Sequence, residues 1–94
     1  MFTRIAPQRA QHDDGSVVQI GGRYAVQYVQ GNLMAEIEAD FAALTGIYPE
    51  TLIMHRMDGS PITTTDEERS AILAKILSGL SCLGVKYELC NGKL

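Results

Sequence analysis

Glu36, Glu38 and Asp40 occupy alternate positions of the segment Leu33-Met34-Ala35-Glu36-Ile37-Glu38-Ala39-Asp40. A period of two belongs to a β-strand, so the three carboxylates and Met34 share one face, and Leu33, Ala35, Ile37 and Ala39 share the other. Three carboxylates cannot enter a dry core without a large desolvation cost. Their face must meet water, a cation or a partner. Same-face neighbours on a strand stand about 6.5–7 Å apart, which is wide for two of them to hold a small cation unaided. General acid/base work would require a pocket that perturbs one of their pKa values, and nothing in the sequence announces one. The chemistry that suits this row is electrostatic steering of a cationic partner.

The remaining reactive side chains form no recognisable catalytic pattern. His12, Asp13 and Asp14 make a second polar cluster in a segment that reads as a loop. His55 stands at the end of a strand-like run, where a surface or interface histidine is expected rather than a base. Ser78, Ser81 and Cys82 lie near a helix end with no histidine adjacent in sequence to activate them. Cys82 and Cys90 are too few for a structural zinc site on their own, and His12 and His55 add no ligand spacing. We expect two free thiols, although the spacing alone also permits a disulfide. Gly15 and Gly21-Gly22 are not followed by the lysine and hydroxyl residue of a phosphate loop. The expectation is a protein without catalytic residues, metal or cofactor.

The elements that must position these groups follow from patterning. Phe2 to Ile5 could form a short edge strand, and residues 7–15 read as a loop. Val17 to Ile20 and Arg23 to Val29 are β-prone runs, joined at Gly21-Gly22 by a tight turn. Tyr24, Val26 and Tyr28 form the packed face of the second run; Arg23, Ala25, Gln27 and Val29 form the other. The acidic strand follows, then Phe41 and Leu44 as core plugs. Pro49 is expected to interrupt the chain before a strand at Thr51 to His55. A loop with Asp58-Gly59 and Ser60-Pro61 leads to the one long helix, over 65–80. Thr64 or Thr65 caps it, with Glu67 and Glu68 in capping-box register. Ile72, Leu73, Ile76, Leu77 and Leu80 recur at helical spacing, with Leu83 a further candidate, and Gly79 or Gly84 ends the run. Arg69 falls on that same face, either snorkelling past the core edge or paired with a sheet carboxylate. Val85, Tyr87 and Leu89 point inward from a final strand. This order implies an α+β fold, one domain over 1–94, with an antiparallel or mixed sheet and one main C-terminal helix on one face.

The charge distribution narrows the function classes. The 94 residues carry eight basic and eleven acidic side chains, for a formal charge of −3. Residues 31–68 hold one arginine, Arg56, against eight carboxylates, whereas residues 1–30 and 69–94 are each net positive. A basic protein suits such a surface better than a nucleic acid does. No window approaches the roughly 20 apolar residues of a membrane span, and the first residues have no signal-peptide pattern. A soluble cytoplasmic protein is expected. Met34, Met54 and Met57 could line an adaptable binding surface.

Several stretches taken together resemble a known group. They are "GGRYAVQYVQG", "LMAEIEAD", "TLIMHRMDGSPITTTDEERSAILAKIL" and "GVKYEL", spanning Gly22 to Leu89. The strand, the turn Asp58-Gly59-Ser60-Pro61-Ile62-Thr63 and the acid-capped helix beginning "TDEER" are similar to small immunity proteins of bacterial polymorphic toxin systems. Where many members carry a tryptophan before this turn, this chain has His55-Arg56-Met57. The resemblance implies a non-enzymatic protein that binds and neutralises a cognate toxin, often a basic one. Independently of it, Glu36, Glu38, Asp40, Arg56 and Asp58 are the candidate partner-binding residues. The competing expectations are a homodimeric structural or regulatory domain and a small metal-dependent enzyme.

Overall fold

The computed structural model describes residues 1–21 and 24–90. Among them are seven strands and one helix. The strands are β1 (Phe2–Ala6), β2 (Arg9–His12), β3 (Val17–Ile20), β4 (Ala25–Gln30), β5 (Leu33–Asp40), β6 (Thr45–Arg56) and β7 (Tyr87–Leu89); the helix, α1 (Asp66–Cys82), precedes β7. The sheet order is the chain order, β1 to β7. Every pairing is antiparallel except β6 with β7, which α1 connects as a parallel pair. The sheet curls into a half-barrel with α1 packed against it, which is the expected α+β layout with a mixed sheet.

The core follows the alternation. Ala10, Val18, Val26, Tyr28, Ala35, Ile37 and Ile47 are fully buried and face Ile76 and Leu80 of the helix. The inward set predicted for β5 is the observed one, and Glu36, Glu38 and Asp40 lie on the side away from it. The helix boundaries have local causes. Thr65 accepts the Glu68 amide and Glu68 reaches back to the Thr65 amide, a complete capping box, with Asp66 and Glu67 also in the first turn. At the other end Leu83 is the C-cap and Gly84 takes φ +79°. The Val85 N–H bonds Leu80 O and the Gly84 N–H bonds Ser81 O, both at 3.0 Å, which is the Schellman arrangement.

Several expectations are corrected. Residues 7–15 are not all loop: β2 forms because Ala10 tucks completely under the sheet while Arg9 and Gln11 point outward. Tyr24 is exposed and precedes β4, since the strand begins at Ala25. The tight turn expected at Gly21-Gly22, and the side assigned to Arg23, lie outside the described residues. Leu44 and Leu89 are exposed rather than inward, whereas Phe41 packs against the core edge. Gly79 does not end the helix; it is buried within α1.

Pro49 does not break the strand either. Glu36 pairs with Ile53 and Glu38 with Tyr48, so Pro49 to Leu52 form a bulge opposite Ile37. Proline is tolerated there because a bulge asks for no ladder donor. Thr51 Oγ accepts the Glu38 N–H at 2.9 Å and donates to Tyr48 O at 2.7 Å, replacing the ladder bonds that the bulge removes. Arg69 serves the same feature. Its Nη2 donates to Leu52 O at 2.9 Å, so the sheet partner is a backbone carbonyl and not the carboxylate of the alternative reading.

Candidate functional site

Residues paired across a sheet point to the same side, so the registers define the face that α1 leaves uncovered. One row on that outer face is Val17, Val29, Met34 and His55. The next is Arg9, Gln19, Gln27, Glu36 and Ile53. A third holds Ala25, Glu38 and Tyr48, and a fourth Asp40, Gly46 and Glu88. Four carboxylates therefore spread over β5 and β7. Asp40 and Glu88 are exposed; Glu36 and Glu38 are half-buried. Tyr48 is half-buried between Glu38 and the fourth row, and Ile53 is 57% exposed beside Glu36. Glu88 was not a predicted site residue. Its place in the same row as Asp40, across Gly46 of β6, depends on the parallel register of β7, which no local pattern reveals.

The second row is a continuous hydrogen-bonded ladder. Arg9 Nε donates to Gln19 Oε1 at 2.9 Å, Gln19 Nε2 to Gln27 Oε1 at 2.7 Å, and Gln27 Nε2 to Glu36 Oε2 at 3.3 Å. All three bonds run in one direction, from a guanidinium to a carboxylate, across four strands. They order side chains that a solvated sheet face would otherwise leave free to rotate.

The other predicted residues lie elsewhere. Arg56 pairs with Leu33, whose side belongs to the helix face, so Arg56 stands on the opposite side of the sheet from Glu36. Asp58 sits in the loop after β6 and accepts both the Ser60 amide (2.9 Å) and the Ser60 hydroxyl (2.7 Å). These bonds hold its carboxyl below the ordinary value of 3.8. Its side chain shapes the turn. The five candidate residues thus separate into three carboxylates on the outer face, Arg56 at the end of β6 on the opposite face, and Asp58 in the loop that follows. Met34 is on the outer face, whereas Met54 packs against the core and Met57 is exposed in the loop.

The polar cluster at His12 gains members that the sequence did not single out. Asp14 accepts the Ser16 amide at 2.9 Å and the Ser16 hydroxyl at 2.6 Å, and pairs with Lys75 of α1. The Asp14 amide donates to His12 Nδ1 at 3.2 Å. The Lys75 bond first, then the Ser16 bonds, hold the Asp14 carboxyl well below the usual carboxylate range. Asp14 in turn raises the Lys75 ammonium, with the buried Tyr28 a lesser contributor. Tyr28 donates its hydroxyl to Gln30 Oε1 at 2.6 Å. The cluster ties the β2–β3 turn to the helix. Its carboxylate is already saturated by donors, and its serine hydroxyl donates to that carboxylate instead of a base, so it is built as a brace.

Cys82 and Cys90 are both free thiols; Cys82 Sγ contacts Phe2 O at 3.5 Å. Among the described residues no group of three or more His, Cys, Asp or Glu side chains is arranged to hold a metal ion. No helix among them is long and apolar enough to cross a membrane. In comparisons with known proteins, no family model, curated protein or solved structure matches the chain.

Proposed function

We propose that this is a non-enzymatic binding protein whose outer sheet face docks a basic protein, with neutralisation of a cognate bacterial toxin in the cytoplasm as its cellular role. The observation that carries the docking surface is the display of Glu36, Glu38, Asp40 and Glu88 on one face together with half-exposed Tyr48 and Ile53. Carboxylates steer a cationic partner and accelerate encounter, and adjoining aromatic and aliphatic surface supplies the desolvated contact that holds it. The toxin assignment is supported by the resemblance of the strand, Asp58-Gly59 turn and acid-capped helix to immunity proteins.

Affinity capture from the native host tests the surface, with the triple variant Glu38→Lys, Asp40→Lys, Glu88→Lys run in parallel. A basic protein retained by the wild type and lost by the variant is the expected result. Stopped-flow association of that protein should slow roughly ten-fold at low salt in the variant, with a flatter salt dependence. Equal capture and equal rates would remove this face as the interface. Co-expression with the captured protein tests the role: protection from its toxicity is expected, and the absence of any toxicity would exclude it.

A further inference from the structure

An open groove of about 550 Å³ lies at the β1–β2 turn, lined by Ala6, Pro7, Gln8, Arg9, Gln19 and Ile20. Its apolar walls are Ala6, Pro7 and Ile20, and its one charged lining residue is Arg9. The ladder fixes that arginine through Nε, which donates to Gln19 Oε1. A guanidinium has five N–H donors in a rigid fork, and among the described residues Arg9 makes no side-chain bond besides that from Nε, on a side chain already held in position. Arg4 adds a second positive charge at the same turn by donating from Nη2 to Pro7 O at 2.9 Å. Residues 1–12 and 15–35 contain no aspartate or glutamate. The nearest carboxylates along β2, Asp13 and Asp14, stand beyond its far end, more than about 10 Å from Arg9 at ordinary strand rise.

The outer face is therefore electrically two-ended. Arg9 marks one end of the ladder and Glu36 the other, three strand spacings or about 14 Å apart. We infer that the groove anchors an acidic side chain of the partner, an aspartate or glutamate received by the Arg9 fork, while basic side chains of that partner meet Glu36 and the carboxylates beyond it. This rests on the docking role proposed above. Planar, pre-oriented guanidinium is suited to two-point recognition of a carboxylate. Face-to-face pairing of two copies would also satisfy the charges, but two outward-curving surfaces meet over little area.

Two peptide probes separate the two ends. The full chain, labelled with ¹⁵N, is titrated at low salt with an N-acetylated tetraglutamate amide and with a tetralysine peptide. Tetraglutamate should shift the Arg9 Nε–H and the Gln8 and Ile20 amides, and should bind at least threefold more weakly to Arg9→Gln, with Arg9→Lys in between. The spectra themselves report whether each variant stays folded. Tetraglutamate shifts that centre on Lys75 or Lys86, or that persist undiminished in Arg9→Gln, would overturn the groove assignment. Self-association that Arg9→Gln abolishes would give the groove to a second copy and also overturn it. Tetralysine reads the acidic end alone. Its failure to shift residues around Glu36, Glu38, Asp40 and Glu88 would sink the basic-partner reading and leave the groove result standing.

Discussion

Gly79 offers a sharp test of how the helix seats on the sheet. In an exposed helix interior, Gly→Ala stabilises by about 1 kcal/mol, because alanine loses less backbone freedom. Here a Cβ on residue 79 would stand 2.6 Å from Val18 Cβ, 2.7 Å from its Cγ2 and 3.0 Å from its Cγ1. Val18 cannot yield easily. It is β-branched, fully buried, and paired on its two sides with Ala10 and Tyr28, which are fully buried as well. The methyl must lift the helix or distort the strand, and overpacking of that kind costs about 1–3 kcal/mol. With two contacts below 3.0 Å the upper half of that range applies. Less the propensity gain, Gly79→Ala should lose about 1–2 kcal/mol.

Urea unfolding followed by circular dichroism measures it, and the accompanying fall in Tm should be roughly 5–15 °C for a chain of this length. A variant as stable as the wild type, or more so, would refute the close approach of α1 to β3. The double variant Val18→Ala, Gly79→Ala supplies an internal control. The new methyl then fills space that the valine vacated, so the double loss should be smaller than the sum of the singles.

Four further outcomes are expected. Thr51→Val keeps the shape but leaves the Glu38 N–H and Tyr48 O without their bulge partner, and should cost about 1–3 kcal/mol by chemical denaturation. Thr65→Ala removes the capping box and should cost about 1 kcal/mol, read the same way. Arg69→Met should cost about 1.5 kcal/mol, the low end for a charged donor, because the bond is only part-buried on the arginine side; a loss of 4 kcal/mol would point instead to a buried ion pair. For Asp14 the folded pKa is depressed, so its contribution is present above the ordinary value of 3.8 and is lost as pH falls below it. For Lys75 the folded pKa is raised, so its contribution is present below 10.5 and is lost as pH rises through the folded value. Stability measured against pH should thus fall below about pH 4, and Asp14→Asn should flatten that decline.

The elements readable from sequence were those whose signal is local. β5 declares itself by strict alternation, and α1 by its cap and apolar stripe, so the sequence pattern of each matches its buried face. β2 is not legible, because its only apolar inward residue is Ala10, and one small side chain in a polar segment carries no period. Pro49 reads as a break in β6 because the bonds that carry the strand past it are made by side chains, Thr51 within the bulge and Arg69 from the helix, and not by the backbone ladder. The candidate site divides the same way. The wet side of β5 follows from the cost of burying carboxylates, whereas Glu88 and the Arg9–Gln19–Gln27–Glu36 ladder exist only once cross-strand register is known. Arg56 shows the converse: next to the acidic strand in register, it belongs to the other face.

The bulge also links the core to the outer surface. Leu52 is 3% exposed, so the bulged segment turns a large side chain into the core. A bulge bends its strand and increases local twist, and here the bend falls between the partners of Glu36 and Glu38. The sheet curls toward the helix, which makes the opposite face convex. Side chains on a convex face diverge, so Glu36, Glu38, Asp40 and Glu88 add to one field without converging on a single atom. A metal centre requires convergence of oxygen ligands within about 2.6 Å of one ion. Steering of a large cationic surface requires only that like charges be displayed together. A sheet curled against its helix therefore favours docking over metal chemistry on the face left outside.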